Sequence, residues 1–98
     1  MHEDLAGRVL RVDALHTPGR GEVEALPDAL IAVDPGGVIT DIRAAGSPGY
    51  DTALRAAGER LVTAPPGAVL LPGLVDLHVH APQYPQLGTA LDLPLEEW

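Results

Sequence analysis

The chain has no cysteine, no lysine and no long apolar run. Without cysteine there is no disulfide, no thiolate nucleophile and no cysteine-based zinc site, so a transition metal would have to be held by histidine and carboxylate. Positive charge is scarce: six cationic side chains, all arginine, stand against 14 carboxylates, for a formal net charge of −8. The arginines are scattered along the chain, and an acidic balance without a basic patch repels phosphate backbones, which excludes nucleic acid as a partner. A membrane span requires about 20 consecutive apolar residues, and no stretch approaches that, so no membrane partner is expected. The opening residues Met1-His2-Glu3-Asp4 are acidic and lead into no apolar signal core, which makes the cytoplasm the expected compartment. Internal repeats and low-complexity segments are also missing.

With 98 residues the chain forms one domain at most, in a size range where a single core buries only roughly two thirds of the unfolded surface. Its 46% hydrophobic content suits a globular protein, and 11 glycines with 10 prolines imply many turns. Arg8-Val9-Leu10-Arg11-Val12, between Gly7 and Asp13, reads as an edge or hairpin strand. Residues 28–33 and 38–42 are apolar runs flanking Asp34-Pro35-Gly36-Gly37, the composition of a β-hairpin. Residues 47–60 predict a short helix, with alanines around Leu54 and Arg55, Asp51 placed to accept at its start and Gly58 suited to its end. Arg60-Leu61-Val62-Thr63-Ala64 predicts another strand, and Pro65-Pro66-Gly67 then interrupts regular structure. The expected boundary lies there, dividing the chain into units 1–66 and 67–98.

Beyond Pro72-Gly73, residues 74–80 alternate so that Asp76, His78 and His80 share one face of a predicted strand and Val75, Leu77 and Val79 the other. Residues two apart in a strand are separated by roughly 6.6–6.8 Å, so two imidazoles at that spacing can converge on one ion. His78 and His80 are therefore the candidate metal ligands. Asp76, one step earlier on that face, is a candidate to hydrogen-bond a ligand and fix its orientation. A bare His-x-His pair is more often two polar residues at a strand end. Here the Pro-Gly ahead of it, the aspartate two residues before it and the proline-containing loop after it suit the C-terminal end of a buried barrel strand, where (β/α) barrels build active sites. Pro94-Leu95-Glu96-Glu97 has the makings of a first helical turn. His16 reads as a loop residue with an ordinary surface or hairpin role, and Gly36-Gly37 make no phosphate loop, because neither a helix nor a lysine follows.

Leu71-Pro72-Gly73-Leu74-Val75-Asp76-Leu77-His78-Val79-His80 resembles the first barrel strand of the amidohydrolase superfamily, whose His-x-His pair binds catalytic zinc or iron. Ala81-Pro82-Gln83-Tyr84 and Leu91-Asp92-Leu93-Pro94-Leu95-Glu96-Glu97-Trp98 are similar to the guanine deaminase family in particular. His16-Thr17-Pro18, Gly21-Glu22-Val23-Glu24 and residues 28–34 resemble that family's N-terminal β domain.

The resemblance implies a mainly β fold with a short helix: part of a composite β-sandwich over 1–66, then the first strand and helix start of a (β/α)8 barrel over 67–98. It implies Zn2+ or Fe2+ at His78 and His80, a purine pocket lined by His80, Ala81, Pro82 and Gln83, and hydrolytic conversion of guanine to xanthine and ammonia. Further ligands, a proton-shuttling glutamate and a base-binding arginine come from later segments in that family. The expectation is therefore an N-terminal fragment, inactive alone, of an enzyme that is a homodimer at full length and takes guanine or a related base. The alternatives are a fragment of another amidohydrolase acting on a triazine, pyrimidine or other purine, and a noncatalytic interaction module.

Overall fold

The computed structural model describes residues 4–75 and residue 77. Val9–His16 (β1) lies inside a five-stranded mixed sheet. Antiparallel to it runs Glu24–Val33 (β2), which in turn pairs with Ile39–Arg43 (β3). After a helix at Tyr50–Ala57 (α1) and a single 3-10 turn, Leu61–Thr63 (β4) and Val69–Leu70 (β5) both pair with β1 in parallel. The mainly β expectation with one short helix holds. No helix among the described residues is long and apolar enough to cross a membrane.

The hairpin forms where Asp34-Pro35-Gly36-Gly37 places it. The Asp34 side chain accepts hydrogen bonds from the backbone N–H groups of Gly36 and Val38, both at 2.9 Å, and Gly37 supplies a backbone with φ of +85° that a side chain would strain.

Three local expectations are corrected. The first strand does form a hairpin with β2, but it is neither short nor at an edge: it runs eight residues to His16 and has partners on both sides. Its second neighbour comes from β4 and β5, far along the chain, a pairing that local composition does not encode. His16 accordingly ends a strand instead of sitting in a loop. The helix is shorter than residues 47–60 and is not capped by Asp51, which lies inside its first turn; Gly49, in the left-handed region, precedes it with no side-chain cap.

Alternation along the strands gives the sheet two apolar faces. Val9 and Leu30 pack with Tyr50 and Ala57 of α1. Leu10, Val12, Ala14, Leu26, Ala29 and Ile31 form the other cluster, flanked by Leu5, Val62, Ala68 and Leu70. Each fully buried aliphatic side chain of this kind contributes roughly 1.5–3 kcal/mol.

The chain leaves the sheet after Leu70. Leu74 and Val75, expected to open the next strand, have no strand pairing and are 96% and 84% exposed. A strand is defined by its hydrogen-bonded neighbours, and none lies beside them among the described residues.

Candidate functional site

The sequence-derived site is Asp76, His78, His80, Ala81, Pro82 and Gln83, and all six lie outside the described residues. What the structure gives is the approach to it: β5 ends at Leu70, Leu71 and Pro72 follow on the surface, and Leu74, Val75 and Leu77 present apolar side chains to solvent. Among the described residues no group of three or more histidine, aspartate or glutamate side chains could hold a metal. His16, set aside in the sequence, has its Nε2 3.7 Å from Glu24 on the paired strand. Among the described residues it has one acidic neighbour, Glu24, and no second imidazole.

The polar cluster that the structure does assemble was not anticipated from sequence. The β1–β2 register shifts between Val12 and Ala14, so that Asp13 faces Pro27 and Asp28 together. This bulge explains how a proline sits inside a strand, since a bulge removes the need for its missing N–H. Asp28 adopts a positive φ of 49°, unusual for a residue with a side chain.

Three contacts hold it there. Its N–H donates to Asp13 Oδ1 at 2.8 Å. Its carboxylate accepts from Arg11 Nε at 2.6 Å and Nη2 at 2.8 Å. Its carbonyl accepts from the Tyr50 hydroxyl at 2.7 Å, which ties the bulge to α1.

The electrostatics follow from this geometry. Hydrogen bonding from Arg11 holds the Asp28 carboxyl below its ordinary value, against a smaller opposing effect of burial. Hydrogen bonding to Asp28 raises Arg11 further into the range where it is always charged. Burial, reinforced by Asp28, raises the Tyr50 hydroxyl. With its charges paired and its hydroxyl engaged, the cluster is built to fix backbone shape. The one sequence signal for it is Pro27-Asp28 inside a strand-like run.

An apolar groove of about 170 Å³ opens beside the other end of β1, lined by residues including Leu26, Ile31, Ile39, Ile42 and Leu71. It offers shape and hydrophobicity, and His16 is among its lining residues.

No family model matches the chain. Among curated proteins, the chain is 29% identical over 104 aligned residues to a guanine deaminase of Dictyostelium discoideum, covering 93% of this chain and 22% of that protein. It is 34% identical over 90 residues to a probable guanine deaminase of Schizosaccharomyces pombe, covering 86% of this chain and 16% of the relative. Over 28 residues it is 64% identical to a guanine deaminase of Mus musculus, a match to 29% of this chain and 6% of the mouse protein. The chain is thus similar to guanine deaminases of several species and spans 22% or less of these relatives' lengths.

Proposed function

We propose that this chain is the N-terminal part of a metal-dependent guanine deaminase, which hydrolyses guanine to xanthine and ammonia. The observation that carries the reading is the similarity to guanine deaminases across 93% and 86% of the chain. In this reading residues 1–66 belong to a composite β-sandwich domain, and 67–98 form the first β/α element of a (β/α)8 barrel. The mixed sheet with α1 on one face supports the first assignment. Val69–Leu70, which would open the second unit in this reading, pair with β1.

The donor set fits a divalent transition metal. The chain has no cysteine, and imidazole nitrogen suits both Zn2+ and Fe2+. His78 and His80 would be the ligands, and Asp76 would accept the N–H of one imidazole, fixing which ring nitrogen faces the ion. Bound there, the cation supplies acidification of water at neutral pH, the chemistry needed for hydrolytic loss of an amino group.

The remaining roles belong to side chains and backbone. A primary amide carries two donors and an acceptor, so Gln83 can bond both kinds of group on a purine edge. His80, Ala81 and Pro82 would line the pocket beside it. Catalytic zinc sites take three protein ligands and leave a position for water. His78 and His80 provide two of them, so the 98-residue chain alone is inactive in this reading.

The test compares this chain with the product of the coding frame read past Trp98, measuring guanine-dependent ammonia release and metal content by elemental analysis. The expected result is turnover and about one catalytic metal per chain in the longer protein, with no turnover by the 98 residues. Guanine turnover by the isolated chain overturns the fragment reading. A longer protein that binds metal and leaves guanine untouched, while deaminating a triazine, a pyrimidine or another purine, overturns the substrate.

A further inference from the structure

We draw no further inference here: the strongest candidate, the apolar groove beside the His16 end of β1, between β2, β3 and the Leu70–Leu71–Pro72 segment, is an unpartnered face, and nothing in the structure shows what covers it.

Discussion

The guanidinium of Arg11 grips the carboxylate of Asp28 through two parallel hydrogen bonds, at 2.6 and 2.8 Å, across the β1–β2 pair. Asp28 is also the non-glycine residue found with positive φ among those described. Left-handed backbone costs an L-residue roughly 1–2 kcal/mol, so the bulge exists because its surroundings outweigh that cost. The side chains of Arg11, Asp13 and Tyr50 all converge on this one residue.

The first consequence is a dependence on acid. Asp28 has its carboxyl held below the ordinary 3.8, first by hydrogen bonding from Arg11. A group with a depressed folded-state value binds fewer protons folded than unfolded just below that ordinary value. Its stabilisation is present above 3.8 and disappears as pH falls through the lowered value. The native chain should therefore lose its stability advantage over Asp28→Asn as pH falls below 3.8 and through the lowered folded-state value, read from urea midpoints. The two side chains are 37% and 43% exposed, so added salt should also narrow the gap. Parallel pH curves for the two proteins would show that the ion pair does not contribute.

At the alkaline end the same cluster acts through Tyr50. Burial first, then its hydrogen bond and the charge of Asp28, raises the hydroxyl above 10.0. A raised value favours the protonated fold, so this contribution is complete below 10.0 and is lost as pH climbs through the folded-state value. Tyr50→Phe keeps the ring in its place against Val9 and Leu30 and removes only the bond to the Asp28 carbonyl. It should cost about 1 kcal/mol near neutrality and flatten the alkaline limb. An unchanged unfolding midpoint, or an alkaline limb as steep as before, would remove the hydroxyl from the account.

Gly49 is constrained in two ways at once. Its φ is +80°, and an added Cβ would lie 2.8 Å from Arg43 Nη1, which donates to the Pro48 carbonyl at 3.0 Å. Gly37, with φ of +85° and no heavy atom within 4 Å of such a Cβ, carries the backbone constraint alone. Gly37→Ala should cost about 1–2 kcal/mol, and Gly49→Ala more, because Arg43 must also move. In an Arg43→Ala background the cost of Gly49→Ala should fall to that of Gly37→Ala. A cost that stays the same in both backgrounds would mean the guanidinium yields freely.

What could be read in advance was what neighbours in sequence decide. Asp34-Pro35-Gly36-Gly37 carries its turn within itself, and the hairpin appears where that composition predicts it. Asp51 carries a side chain suited to capping, whereas the helix starts on the left-handed freedom of Gly49. Two features depended on distant residues and left little local trace: the central place of β1, which needs β4 and β5 beside it, and the bulge at Asp28, which needs Arg11, Asp13 and Tyr50. The His-x-His spacing at 78 and 80 can be read in the sequence because a two-residue period is a local property, but both residues lie outside the described ones. A three-ligand site is not local, so further ligands to such a pair would have to be sought in other segments.

The proposed metal pair makes a graded expectation possible in the longer protein. His78 and His80 are direct ligands in that reading, so His78→Ala or His80→Ala should each abolish retained metal. Asp76→Asn keeps the shape and removes the charge that orients an imidazole, which should weaken metal affinity by about 10–100-fold while leaving the metal recoverable at high concentration. Gln83→Ala should leave metal content untouched and raise KM for guanine by roughly tenfold, the loss expected for about one hydrogen bond to the base. The order of effects distinguishes a ligand, a residue that orients a ligand and a residue that meets substrate. Full metal content in both histidine variants would mean that the ion is held elsewhere, and the assignment of His78 and His80 as ligands would fail with it.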